Sequence, residues 1–367
     1  MPVRWSDNVR LTVHGFRSIR KLTGFPIRPL NVIIGANGSG KSNLLLFFQF
    51  LHAIGTQELG RFTGLMGQAD SLLHFGAKTT PVLEFGLDWE EAGCPLSYWA
   101  RLRANVQQKL VFEAEGGLYD DLAGSLGQMR DAGGNLESSF AQMSPGPLGP
   151  MLRSIAHHHF NDTSPQARMR RGSYRENYAL LESDGGNLAA FLNGMRHENR
   201  AYYDRIVETV RLISPEIWDF DLKPSIESPS YVILSWRDRS HREMFGMDKL
   251  SDGTLRAIAL CALLLQPPRQ LPAVLCIDEP ELGLHPHALD LIAGLIQSAS
   301  VHSKIVIGTQ SPILVSKFTP EDVVVVESVN GESRFERKSS ETLERWLAEY
   351  SLGDLWEMNL LGSNALP

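Results

Sequence analysis

Gly35-Ala36-Asn37-Gly38-Ser39-Gly40-Lys41-Ser42 is the stretch on which the reading of this chain turns. It matches G-x-x-x-x-G-K-[ST] at every fixed position, and its flanks supply the context that motif needs. Leu30 to Ile34 before it is an apolar run of strand length, and Asn43 to Ala53 after it has the apolar density of a buried helix. A strand, a glycine turn and a helix start let backbone N–H groups converge on phosphate oxygens without Cβ interference, and the helix N-terminus adds partial positive charge. Asn37, Gly38, Ser39 and Gly40 would form the cradle, Lys41 would reach the β- and γ-phosphates, and Ser42 would ligate Mg2+. ATP and Mg2+ are therefore the candidate cofactors. By itself the loop is equally open to kinase and GTPase readings.

Leu275-Cys276-Ile277-Asp278-Glu279-Pro280 narrows the choice. It reads as a buried strand that ends in two carboxylates. Neighbouring residues on an extended chain point in different directions, so the two acids cannot duplicate each other. Asp278 would hold Mg2+ through water, and Glu279 would orient or deprotonate the attacking water.

Composition sets the frame: 43% hydrophobic and 21% charged over 367 residues, ordinary for a globular chain of one large or two smaller units. The net charge of −7 argues against a generally basic nucleic-acid coat but permits a local basic patch. Cys94, Cys261 and Cys276 are far apart and lack metal-ligand spacing, which fits a reducing compartment. Arg4, Asp7 and Arg10 interrupt any signal-peptide core, and no run reaches the length of a membrane span. A cytoplasmic protein without a membrane partner is the expectation.

Along the chain, Val9–Val13 reads as a short strand, and 81–88, 96–104 and 108–114 as a β-meander. Residues 118–215 lose the strand pattern and read as a mainly helical insertion. It has loops at Ser144-Pro145-Gly146-Pro147 and 162–174, and helices at Asn187–Met195 and Tyr202–Leu212. Strands return at 217–223 and 231–236. From Leu250 helix 252–265, strand 273–277, helix 286–299 and strands 304–308 and 323–327 indicate an α/β fold with a helix-covered parallel sheet. The expected organisation is a discontinuous ATPase head, 1–117 and 216–367, split by the insertion.

Leu250-Ser251-Asp252-Gly253-Thr254-Leu255-Arg256 ahead of the acidic strand resembles the signature segment of ABC-type ATPases, particularly the RecF, SMC and OLD-like head domains. Ile277-Asp278-Glu279-Pro280-Glu281-Leu282-Gly283-Leu284-His285-Pro286 is similar to their acidic strand and D-loop. Phe16-Arg17-Ser18, Asn37 and Asn43 match their opening, and Asp184 to Ala189 and Tyr350 to Trp356 look like the small stand-alone branch found in anti-phage ATPase–effector systems. The resemblance implies an ABC-type head with a β-meander subdomain, and it adds Arg17 and Asn43 to the ATP-binding residues. It also implies a nucleotide-dependent homodimer, or a higher oligomer, in which Ser251, Asp252, Gly253 and Thr254 complete the partner's site in trans. Gln310 stands where ABC proteins usually carry a switch histidine; it can hydrogen-bond but cannot become cationic, which points to slow turnover. Gln68, Gln107 and Gln108 are all available as a Q-loop residue.

OLD proteins carry a TOPRIM nuclease after the ATPase, and the tail beyond Gln310 is too short for one. A separately encoded effector nuclease is therefore the expected partner, in phage defence, with DNA as a further candidate. DNA repair or chromosome maintenance, a slow-hydrolysing ATP-bound scaffold and, last, a transporter ATPase are the alternatives. His157-His158-His159 with Asp162 lacks metal spacing and reads as structural. Arg168, Arg170 and Arg171, and the N-terminal basic residues, read as solvated charge before nucleic-acid contacts.

Overall fold

A computed structural model describes residues 5–91, 94–118, 130–142, 148–224, 228–239 and 243–362. The chain begins with an antiparallel hairpin, β1 (Arg10–Phe16) and β2 (Ile19–Pro26), then β3 (Leu30–Ile34) and the helix α1 (Lys41–Thr56). Two short helices, α2 (Leu59–Leu65) and α3 (Gln68–Leu72), lead into β4 (Val82–Glu91), β5 (Cys94–Ala104), β6 (Leu110–Leu118) and β7 (Arg130–Asn135). These strands form one antiparallel sheet in the order β2-β1-β4-β5-β6-β7, which contains the expected meander.

Helix α4 (Leu148–Arg153), β8 (Ile155–His158), β9 (Ser173–Tyr174), α5 (Leu188–Glu198) and α6 (Arg200–Ile213) follow, then β10 (Ile217–Asp221), β11 (Tyr231–Val232), β12 (Ser235–Asp238) and β13 (Met244–Gly246). The chain continues through α7 (Asp252–Leu264), β14 (Val274–Asp278), α8 (Pro286–Ser300), β15 (Lys304–Thr309), β16 (Val323–Val329) and β17 (Glu332–Arg337). The second large sheet has the order β17-β16-β3-β15-β14-β8, parallel except for β17.

Alternation along the parallel strands sorts the core into two layers. Val32, Ile34, Leu275 and Ile277 join the layer built with α5 to α8, while Ile33, Val274 and Cys276 face the layer shared by α1 and the meander. Strands covered on both faces are apolar at most positions, with Asn31 and Lys304 as buried exceptions, which is why they read as nearly continuous runs.

The segment read as a helical insertion is more closely woven into the head than expected. Ile155–His158 pairs in parallel with β14 as an edge strand of the ATPase sheet, and α4 packs against α1. Helices α5 and α6 lie close to the expected positions. The expected strand 231–236 is broken, β11 pairing with β9 and β12 with β10. The proposed loop at 144–147 lies outside the described residues.

Glu115 on β6 is fully buried yet satisfied by Tyr98 Oη at 3.0 Å, Ser138 Oγ at 2.7 Å, and the Ser139 N–H and hydroxyl at 2.7 and 2.6 Å. This carboxylate ties residues 138–140 to the meander. Glu115→Ala strands several buried donors and is expected to cost about 3 kcal/mol in urea denaturation.

Candidate active site

β3 delivers the glycine loop to the C-terminal edge of the parallel sheet. Gly40 has φ +108°, and a Cβ there would come within 1.9 Å of Ser333 Oγ, so conformation and space both require glycine. Ser333, on β17, holds the loop in place: its hydroxyl lies 2.5 Å from Ser39 O and 2.7 Å from Ser18 Oγ. Asn43 Nδ2 donates to the same Ser18 hydroxyl at 2.6 Å. Asn37, Gly38 and Ser42 are exposed on the loop. Lys41 is buried, and its ammonium donates to the Gly35 and Ala36 carbonyls at 2.7 and 3.1 Å. Burial lowers its pKa, while Glu279, Asp278 and Glu281 pull it back up.

Strand register brings the acids beside the loop. β15 lies between β3 and β14, with Thr309 opposite Ile34 and Gly308 opposite Asp278. Burial, reinforced by Glu279, raises the Asp278 pKa, and a hydrogen bond from Ser42 opposes the rise. Asp278 Oδ1 is buried without a hydrogen-bond partner. An unsatisfied carboxylate oxygen next to a serine hydroxyl is an oxygen donor set that suits Mg2+. Glu279 leaves the strand at φ +49°, its N–H bound to Gly308 O at 2.8 Å. Gln310 Nε2 donates to Glu279 Oε1 at 3.1 Å, and Gln310 N–H donates to Glu281 Oε1 at 2.9 Å. Glu281 is thus a third carboxylate at the site; sequence reasoning saw it only as part of a motif.

The signature segment caps α7. Ser251 Oγ accepts from Thr254 N–H at 3.1 Å, and the Thr254 hydroxyl lies 3.1 Å from Ser214 Oγ. Asp252 is exposed and paired with Arg170 at 2.7 Å, while Arg170 also donates to Met247 O at 2.5 Å and Leu250 O at 3.2 Å. Gly253 packs against the carbonyl of Gly283 so closely that a Cβ would sit 2.2 Å from it. Arg256 is buried and donates to Phe160 O at 2.8 Å and to Leu282 O, which joins α7 to the turn after the acidic strand.

A family model described as "AAA domain, putative AbiEii toxin, Type IV TA system" matches residues 30–105 and 150–316, more than half of the chain. The chain belongs to this family of AAA ATPases. Among solved structures, this AAA ATPase is similar to a Smc head bound to the C-winged helix domain of ScpA, with 14% identity, 93% of this chain and 99% of that chain covered, and a TM-score of 0.63. A Smc head domain with an extended coiled coil, bound to the C-terminal domain of ScpA derived from Pyrococcus furiosus, gives 14%, 95%, 99% and 0.60. At that identity the likeness concerns the fold, which is the ABC-type head. No curated protein matches the sequence.

Other sequence features of this AAA ATPase take structural places. His157 and His158 lie on β8, and burial lowers their pKa values to about 3 and about 4, keeping them neutral. Among the described residues no group of three or more His, Cys, Asp or Glu could hold a metal ion. Arg168 pairs with Glu182 and Asp184, and Arg170 with Asp252, so neither is a free loop cation. Gln108 O accepts from Ala69 N–H beside Gln68, placing the three glutamines at α3 and the β5–β6 turn. Among the described residues no helix is long and apolar enough to cross a membrane.

Proposed function

We propose that this AAA ATPase binds Mg-ATP between its glycine loop and acidic strand, hydrolyses it slowly, and uses the cycle to open and close a homodimer. The meeting of Lys41, Asp278, Glu279 and Gln310 at neighbouring strand ends carries the reading. Lys41 exchanges loop carbonyls for β- and γ-phosphate oxygens, helped by the backbone of Asn37 to Gly40. Ser42 and Asp278 would hold Mg2+, which neutralises phosphate charge when bound. Arg17, with a buried Nε lacking a partner, and Asn43 flank the loop. Glu279 activates water and Gln310 positions it, a pairing without the cationic switch of a histidine. Ser251, Asp252, Gly253 and Thr254 would meet the nucleotide of the second copy.

Lys41→Met is expected to weaken ATP binding by about 100-fold in calorimetry, the loss of a charge-assisted phosphate contact. Unchanged affinity would remove the glycine loop from the site.

The dimer is proposed to regulate a separately encoded effector nuclease in phage defence. The matched family's description as a toxin of a type IV TA system supports a paired system, as does the binding of a separate protein, ScpA, by the two similar Smc heads. Co-purification from the native operon tests this, and a lone ATPase fully active on DNA would count against it. The contact of the uncharged Gln310 amide with Glu279 favours one second reading, an ATP-bound scaffold with little turnover.

A further inference from the structure

We propose that Arg170 is a positioning residue of the shared site: it holds the signature segment and cancels the charge of Asp252, so that the start of α7 can receive the phosphates held by a second copy. This rests on the dimer reading above and adds the requirement that the segment's own acid be neutralised. A helix start attracts phosphate through its free N–H groups, and a carboxylate on its first residue opposes that attraction. Asp252 is that first residue, and 66% of its side chain is in solvent. The segment stands beside the candidate acids. Gly253 packs against the Gly283 carbonyl in the turn after β14, and Arg256, one turn along α7, feels both Asp252 and Glu279: burial lowers its pKa, and these two charges oppose the fall.

Arg170 answers that charge from below. Only 10% of its side chain is exposed, although it comes from a stretch with the composition of a loop. Nε donates to Thr163 O at 2.7 Å, and Nη1 donates to Met247 O at 2.5 Å and Leu250 O at 3.2 Å. Nη2 donates to Leu250 O at 3.2 Å and to Asp252 Oδ1 at 2.7 Å. The carbonyl contacts fix the turn that leads into Ser251, and the remaining N–H of the fork goes to the carboxylate. The guanidinium is itself moored from outside α7. Met169 before it is buried in the core, and Arg168 pairs with Glu182 and Asp184. A staple for the turn needs only the carbonyls. The bond to Asp252 does something further, since it keeps an uncompensated negative charge off the surface that a triphosphate must approach.

Wild type, Arg170→Met, Asp252→Asn and the double variant are compared by analytical ultracentrifugation in saturating Mg-ATP, with Mg-ATP affinity measured on the dilute monomer. Arg170→Met is expected to raise the dimer Kd about 100-fold, the effect of an unbalanced carboxylate facing a triphosphate, while ATP affinity stays within about twofold. Asp252→Asn leaves every carbonyl contact of Arg170 in place and should tighten the dimer about tenfold. The double variant should return to within about tenfold of wild type, a rescue that a purely structural staple does not give. A double variant as weak as Arg170→Met overturns the proposal. So does Arg170→Met that dimerises like wild type, or Asp252→Asn that dimerises less well. Wild type that stays monomeric in Mg-ATP would instead defeat the dimer reading itself.

Discussion

Glu279→Gln is expected to lower single-turnover ATP hydrolysis by about 100-fold or more while leaving ATP affinity unchanged, because general-base catalysis contributes on that scale. The substitution removes a basic oxygen and keeps the shape. Glu279 Oε1 already accepts from Gln310, and the amide oxygen of a glutamine can accept in its place. The backbone at φ +49° is held by Gly308 O, so the side chain should keep its direction. Lys41, Ser42 and Asp278 are untouched, and binding should persist. If hydrolysis opens the dimer, the variant should also hold the ATP-bound dimer longer, measured as elution position after ATP loading and dilution. A variant that hydrolyses as fast as wild type would show that Glu279 is not the base. Loss of hydrolysis with no change in dimer lifetime would leave the base in place and separate the ATP cycle from assembly.

The parts of this molecule that were legible in the sequence obey local rules. The glycine loop must be short, small and followed by lysine at a helix start, so Gly35 to Ser42 is readable without neighbours. Core strands buried on both faces are mostly apolar, so β3, β14, β15 and β16 stand out. What stayed hidden depends on distant partners. β8 carries His157 and His158 in an apolar sheet, which is tolerable only because burial keeps both rings neutral, and the histidines masked an edge strand of the parallel sheet. Ser333 lies far along the chain from the loop it supports, and nothing around it marks that contact. Arg170 looked like loop charge until Asp252 and the Met247 and Leu250 carbonyls came to surround it. Glu281 is one acid among many until Gln310 N–H is seen to bond to it.

Gly253→Ala tests the signature segment at its tightest point. The added Cβ would lie 2.2 Å from Gly283 O, a backbone atom in the turn that Arg256 holds through Leu282 O. A flexible side chain could swing away; this carbonyl cannot move without the turn, so α7 and the turn after the acidic strand must separate. Overpacking of this kind costs about 1–3 kcal/mol, well within what a large two-layer core tolerates, so the variant should fold. The glycine loop proposed to bind ATP is on another element and keeps its own contacts with Ser333 and Asn43, so monomeric ATP affinity should stay within about twofold, under 0.5 kcal/mol. The surface offered to a second copy is what shifts. ATP-dependent dimerisation should be lost and steady-state hydrolysis should fall by about tenfold or more, as it does when a positioned contact to a reacting phosphate is removed. Ser251→Ala, which deletes only the hydroxyl capping Thr254 N–H, should cost about 1 kcal/mol of stability and give a milder defect in dimerisation. Circular dichroism and analytical ultracentrifugation with and without ATP separate the outcomes. If Gly253→Ala dimerises and turns over like wild type, the segment is a helix cap and not half of a shared site.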